Sequence, residues 1–272
     1  MAAAGLAVKG ATPLGPGAVD LIVDSAELAA LRADALAAVE GLPVDVCAQP
    51  LEGRRKRLFL ADMDSTIINV ECLDELADFA GLKAEIAAIT ERAMRGELAF
   101  EGALRERVGM LKGLADSALQ RCYDERVRLN PGAATLVKTI AAKGVRCVLV
   151  SGGFTFFTGR VADLAGFHAN RANTFIIENG ALTGEVGMPI LGREAKLAAL
   201  NEEAAALGLT PLDGLTVGDG ANDLDMIKAC GLGVAYRAKP VVAAQAHARV
   251  DHADLTALLY FQGYREDEFV GG

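Results

Sequence analysis

Apolar positions along this chain fall into two regimes. Leu58–Ala61, Val145–Val150, Leu215–Val217 and Gly231–Ala235 are short, unbroken apolar runs bounded by polar residues or glycine. Runs that short read as strands buried on both faces of a parallel sheet. Between them the apolar residues recur at helical spacing. One helix opens at Pro131-Gly132 and closes at Gly144, others cover Phe154–Ala165 and Glu194–Leu207 (closed by Gly208), and the last two are Leu224–Cys230 and Asp254–Phe261. Proline suits the first turn of a helix and glycine its end. Strictly alternating strands and helices demand a parallel sheet with right-handed crossovers. Phe175–Ile177 and Ala181–Glu185 flank Glu178-Asn179-Gly180, where Asn-Gly supplies the positive φ angles of a tight hairpin.

Two stretches break this rhythm. From Glu71 to Leu129 strand character vanishes, and Leu73/Leu76/Ala77/Ala80, Ile86/Ile89/Ala93 and Leu104/Val108/Leu111 each mark a helical face, punctuated by Gly81, Gly96 and Gly113. That pattern predicts an all-helical insertion, placed after a strand end so that it covers the sheet's carboxyl edge as a lid. At the other end of the chain, residues 1–17 read as loose. Val19–Val23, Ser25–Val39 and Val44–Ala48 then read as strand, helix and strand, with Ser25 as a helix cap. The expected fold is therefore α/β: a Rossmann-like parallel sheet flanked by helices, an inserted helical-bundle cap and a small N-terminal α+β module. The expected division is 1–55 for the module, 56–70 with 130–272 for the core, and 71–129 for the cap.

Composition narrows the function. At 272 residues and 52% hydrophobic, the chain can bury a sizeable core. A formal charge of −9 argues against nucleic acid as a partner, so the run Arg54-Arg55-Lys56-Arg57 reads as a solvated linker. No stretch is long and apolar enough for a membrane span, and the Ala/Gly-rich start lacks the layout of a signal peptide. Five dispersed cysteines without a CxxC pair point to reduced thiols and a cytoplasmic location.

The chemistry concentrates where strands end. The first run stops in Asp62-Met63-Asp64-Ser65-Thr66, and alternation along a strand points Asp62 and Asp64 the same way. Two adjacent carboxylates at a buried strand end call for a cation between them, although a helix-capping junction is the plainer alternative. The second run ends in Ser151-Gly152-Gly153, the third in Gly218-Asp219-Gly220-Ala221-Asn222-Asp223, and Lys196 begins a helix between them. One sheet edge would thus hold a nucleophile, a metal site, phosphate donors and a fixed cation, the parts phosphoryl transfer needs. Asp223 stands where a dinucleotide loop would carry its third glycine, which excludes that reading.

These four motifs, in this order and spacing, resemble those of the haloacid dehalogenase superfamily of phosphatases. Within it, Glu71, Met94-Arg95-Gly96, Phe100 and Arg105-Glu106-Arg107-Val108 resemble the cap of the phosphoserine phosphatases. The resemblance spans roughly residues 58–262. It implies a covalent aspartyl-phosphate on Asp62, proton transfer by Asp64, and Mg²⁺ held by Asp62, the Asp64 carbonyl and Asp219, with Asp223 behind. Ser151, Gly152, Gly153 and Lys196 would hold the phosphoryl oxygens, and Asn222 would position Lys196 or the phosphate. In the cap, Glu71 would take the ammonium and Arg107 the carboxylate of phosphoserine, with Met94 and Phe100 as walls. Plainer roles remain open for each: Glu71 at an exposed helix start, Arg107 paired with Glu101 or Glu106, Met94 and Phe100 as bundle core, Lys196 solvated. A phosphomutase, another small-molecule phosphatase or a phosphoacceptor signalling domain would share part of the set. The first 55 residues could bind an amino acid, mediate a homodimer or cover a sheet edge.

Overall fold

The structure is a computed structural model that describes residues 8–24, 27–94 and 97–271. It begins with a hairpin of β1 (Val8–Gly15) and β2 (Ala18–Val23), antiparallel and separate from the main sheet, followed by helix α1 (Leu28–Ala38). The expectation of a loose start is corrected here: from Val8 onward the chain pairs with β2, with Val8 opposite Val23, Ala11 opposite Leu21 and Pro13 opposite Val19. The expected strand Val44–Ala48 is absent. Among the described residues that segment pairs with no strand, and its Asp45 carboxylate instead accepts the amides of Asp251, His252 and Ala253. The Ser25 cap lies outside the described residues; Glu27 stands at the start of α1.

The core begins at β3 (Leu58–Ala61), which is completely buried. The cap helices α2 (Cys72–Phe79), α3 (Lys83–Met94), α4 (Phe100–Met110) and α5 (Ser117–Arg126) follow. Then come α6 (Ala133–Ala142), β4 (Arg146–Phe154), α7 (Thr155–Ala165) and β5 (Ala169–Asn173). The hairpin is β6 (Phe175–Glu178) and β7 (Ala181–Val186). The chain closes with α8 (Arg193–Ala206), β8 (Gly214–Gly218), α9 (Leu224–Ala229), β9 (Leu232–Tyr236), α10 (Pro240–Ala243), β10 (Ala248–Val250) and α11 (Ala257–Phe261).

The main sheet has six parallel strands in the order β10-β9-β8-β3-β4-β5. From β3 the chain steps outward through β4 and β5 on one side, then through β8, β9 and β10 on the other. The order reverses at β3, and the crevice at such a reversal is where open α/β sheets bind ligands. The central position also explains why Leu58–Ala61 is apolar on both faces.

Three departures from the expected pattern matter. Strand β4 continues through Ser151-Gly152-Gly153 to Phe154, where an irregularity lets Phe154 pair with Asn173. Strand β5 is polar in sequence and β10 is only three residues long; each is an edge strand paired to a single neighbour. The last helix starts at Ala257 rather than Asp254, because the Asp254 carboxylate folds back onto the Thr256 amide at 2.9 Å. The Asn179-Gly180 turn has the positive φ angles its sequence calls for, 49° and 76°.

Two linkers tie the cap to the core and bond to each other. The Asn69 amide donates to the Arg128 carbonyl at 3.1 Å and the Asn130 amide to the Ile67 carbonyl at 2.8 Å. The Asn130 side chain spans Thr66 O and Ile68 O at 2.8 and 3.0 Å. The cap also leans on the core hairpin: Gly113 N donates to Leu182 O, Leu182 N to Leu114 O, and Asp116 N to Gly180 O, all at 2.8–2.9 Å.

Candidate active site

The site grows from the end of β3. The Asp62 amide still bonds across to Val217 O of β8 at 3.0 Å, so Asp62 is held as if the strand continued. The backbone then turns tightly over Met63–Ile67, with Ser65 at a φ of 55°, a value uncommon outside glycine. That turn puts Asp62, Asp64 and Thr66 on the carboxyl edge together. Asp62 is buried, and its Oδ1 accepts from the Met63 amide at 2.8 Å and from the Lys196 ammonium at 2.7 Å.

Lys196 reaches this point from the first turns of α8 and is only 2% exposed. Its Nζ lies 2.7 Å from Asp62 and 2.6 Å from Asp223 Oδ1, so two carboxylates share one ammonium. The solvated role is thereby excluded. Asp223 is fully buried and fully engaged: Oδ1 takes Lys196, and Oδ2 takes the amides of Asp219 and Gly220 at 3.1 and 3.0 Å. Gly218 makes room for it, since a Cβ there would lie 2.3 Å from Asp223 Cγ.

Asp64 sits beside this run. Its Oδ1 accepts the Cys72 amide at 2.9 Å and its Oδ2 the Ser151 hydroxyl at 3.1 Å, while the Gly153 amide donates to Ser151 Oγ at 2.8 Å. A Cβ on Gly153 would come within 2.9 Å of Asp64 Oδ2, so only glycine lets the loop approach so closely. Asp219, at the end of β8, accepts the Thr66 hydroxyl at 3.1 Å.

The charges are unbalanced. Burial, then the neighbouring Asp223 charge, push Asp62 well above the usual carboxylate range, against the pull of Lys196. Burial also raises Asp64 to about 6, with Glu71 adding to it and the Cys72 amide opposing. Asp219 rises to about 6 through burial and the charges of Asp223 and Glu71. Burial works against the Lys196 charge, but Asp223 and Asp62 outweigh it and keep the ammonium protonated. Excess buried negative charge is what a divalent cation relieves. Asp62, Asp219 and Asp223 each bring a carboxylate oxygen within 4.8 Å of the others, and an all-oxygen set fits a hard cation. Among the described residues Asp62 and Asp219 each keep one oxygen without a hydrogen bond, whereas both Asp223 oxygens are taken.

The cap supplies the mouth. Glu71 is exposed and accepts the Ser65 hydroxyl at 2.6 Å. Arg107 pairs with neither Glu101 nor Glu106: Glu101 is taken by Arg105 and Glu106 by Arg92. Among the described residues the Arg107 guanidinium has no carboxylate within 4.0 Å, and its Nε donates to Ala103 O at 3.3 Å. Burial lowers its pKa while Asp74 and Glu71 oppose this, so a half-buried cation faces acidic groups without touching them. Phe100, 37% exposed, stands over the loop, its ring 3.3 Å from where a Gly152 Cβ would be. The Met94 side chain lies outside the described residues. Among the described residues Asn222 has no side-chain hydrogen-bond partner, and Lys196 is held by Asp62 and Asp223 instead. The sequence reading gave no role to Thr66, although the motif displays it, and passed over Asn173, which no motif marks.

The haloacid dehalogenase-like hydrolase profile matches residues 59–228. A protein from Polaromonas sp. named phosphoserine phosphatase is 46% identical over 224 residues, covering 80% of this chain and 95% of that one. The unliganded crystal structure of a probable phosphoserine phosphatase from Vibrio cholerae superposes with a TM-score of 0.75 at 35% identity, covering 89% of this chain and 74% of that one. A structure described as a phospho-aspartyl intermediate analogue of phosphoserine phosphatase has a TM-score of 0.70 at 36% identity, covering 76% of this chain and 99% of that one.

Proposed function

The chain belongs to the haloacid dehalogenase-like hydrolases, and from that premise we propose that it is a phosphoserine phosphatase, hydrolysing O-phospho-L-serine to L-serine and phosphate. The observation that carries the reading is the buried run Asp223–Lys196–Asp62 next to the Asp64–Ser151 contact, all at one sheet edge beneath a helical cap.

Asp62 attacks phosphorus through a carboxylate oxygen, and the bond to the serine oxygen breaks as Asp64 delivers a proton to it. The product on the enzyme is an aspartyl-phosphate. Asp64 then accepts a proton from water, the resulting hydroxide attacks phosphorus, and the bond to Asp62 breaks to release phosphate. A carboxyl poised at about 6 can serve in both directions near neutral pH. Ser151, the Gly152 and Gly153 amides and Lys196 hold the phosphoryl oxygens, the fixed donors and cation such a transition state requires. Asp62, Asp219 and the Asp64 carbonyl would hold Mg²⁺, backed by Asp223; when bound it offsets charge on the phosphoryl oxygens.

Substrate choice falls to the cap. Among the described residues Arg107 offers a guanidinium without a carboxylate partner for the serine carboxylate, and Glu71 exchanges its Ser65 hydroxyl for the ammonium. Phe100 walls the pocket on the side of the Ser151–Gly153 loop. Residues 1–55, 56–70 with 130–272, and 71–129 form module, core and cap. Among the described residues no helix is long and apolar enough to cross a membrane, and all five cysteines are unpaired, which supports a cytoplasmic setting.

The test is phosphate release from phosphoserine, phosphothreonine, sugar phosphates and an aryl phosphate, with Mg²⁺ and with chelator. Selective, Mg²⁺-dependent release from phosphoserine, abolished in Asp62→Asn, is the expected result. Release from sugar phosphates but not phosphoserine would overturn the substrate while keeping the reaction.

A further inference from the structure

Asn173 ends β5, away from every motif, yet it is 1% exposed and its three side-chain hydrogen bonds all go to two backbone segments of the site. Its Nδ2 donates to Gly152 O at 2.8 Å and to Leu191 O at 3.3 Å, and its Oδ1 accepts the Leu191 amide at 2.7 Å. Gly152 lies in the Ser151–Gly153 loop. Leu191 precedes Gly192, the N-cap residue of α8, and α8 carries Lys196.

We propose that Asn173 is a positioning residue that sets the orientation and spacing of the two halves of the phosphoryl cradle, the Ser151–Gly153 loop and the Lys196 helix. The proposal rests on the phosphatase reading above and assigns a residue outside its motifs. The physical reason lies in the peptide plane. A trans peptide points its C=O and the following N–H in opposite directions, so fixing Gly152 O fixes the Gly153 N–H. That N–H is the one aimed at Ser151 Oγ, on the side of Asp64. At the other end the amide grips Leu191 through both its N–H and its C=O, as a strand partner would. Only asparagine satisfies the set: two donors and one acceptor at this reach. Aspartate would set a buried carboxylate against two carbonyl oxygens, and glutamine would push its amide past both segments.

Turnover of phosphoserine by the unaltered enzyme comes first, because its absence strikes the phosphatase reading alone; inorganic phosphate binding still tests the cradle. In Asn173→Ala, kcat/KM falls by about ten- to hundredfold and inhibition by inorganic phosphate weakens by about tenfold. Inhibition by the product serine, held by the cap, stays within about twofold. A merely structural residue would lower the melting temperature and leave phosphate inhibition unchanged. If Asn173→Ala does not fold, Asn173→Ser carries the same comparison, since its hydroxyl keeps one partner in the buried gap. Phosphate inhibition within about twofold of the unaltered enzyme in the folded variant, or equal weakening of serine and phosphate, overturns the proposal.

Discussion

Replacing Lys196 by methionine removes the one cation from a buried run of carboxylates. The ammonium makes bonds of 2.7 and 2.6 Å to Asp62 and Asp223 and is 2% exposed, so water cannot take its place. Breaking a buried charge pair by deleting one partner costs about 3–5 kcal/mol, chiefly because the remaining charge is stranded. Here two carboxylates are stranded, but Asp62 already leans towards protonation, so it can take up a proton and relieve part of the cost. The net expectation is a loss of about 3 kcal/mol at pH 8, a fall in melting temperature of roughly 6–12 °C for a chain of this size. The sign of the pH dependence follows. In the variant the folded state holds a carboxyl whose pKa exceeds its unfolded value, so it binds more protons than the unfolded chain, and stability rises as pH falls. In the unaltered protein Lys196 itself stays charged from pH 5 to 8, so the lysine adds no titration of its own there and holds Asp62 closer to the charged form than the variant does. Denaturation with urea in the presence of chelator, at pH 5.5 and pH 8, measures both. The defect should shrink at the lower pH. A variant as stable as the parent, or a defect of the same size at both pH values, would refute the electrostatic account of this run.

Other outcomes follow from the same geometry. Asp64→Asn should cut phosphoserine turnover by about 10²–10⁴-fold yet keep a first-turnover burst of product from an aryl phosphate, whose leaving group needs no proton. Stopped-flow absorbance tests this, and a lost burst would move Asp64 out of the proton-transfer role. Arg107→Ala should weaken phosphoserine by about 10–100-fold in KM, the worth of charged hydrogen bonds, while phosphoethanolamine, which has no carboxylate, changes little. Steady-state kinetics on the two substrates separates these, and parallel losses would argue against the assignment. Glu203 is held below its usual range, because its bonds to Arg171 and Arg146 outweigh its partial burial. Its contribution is therefore present above the unfolded carboxylate value and lost as pH falls through the folded one. Glu203→Gln should cost about 1 kcal/mol at pH 7 and nothing once both states are protonated. Thermal melts followed from pH 7 downward decide it, the cost shrinking only as pH falls through the folded value.

The sequence by itself determined the parts of this protein that rest on local rules. Leu58–Ala61 had to be a central strand, because only burial on both faces tolerates so continuous an apolar run. Asn179-Gly180 had to be a tight turn, and the run from Glu71 to Leu129 had to be helical. Asp62, Asp64, Ser151, Lys196, Asp219 and Asp223 were legible as one set because each follows an apolar strand run or opens a helix in the sequence pattern.

Contacts between distant segments were decided only by the tertiary structure. Strand β5 is polar, and its pairing with β4 exists because β4 presents an open edge. Val44–Ala48 has the composition of a strand but no partner, and Asp45 instead caps the chain after β10. Whether Arg107 would be spent on a helical neighbour depended on Arg105 and Arg92 claiming Glu101 and Glu106 first. Asn173 carries no signal at all in the sequence. Its three bonds join residues 18–21 positions away whose carbonyls and amides look like any others until the fold brings them together. Periodicity reports which face of an element is buried, but a backbone hydrogen bond has no letter in the sequence, and its partner is chosen by the packing of the whole.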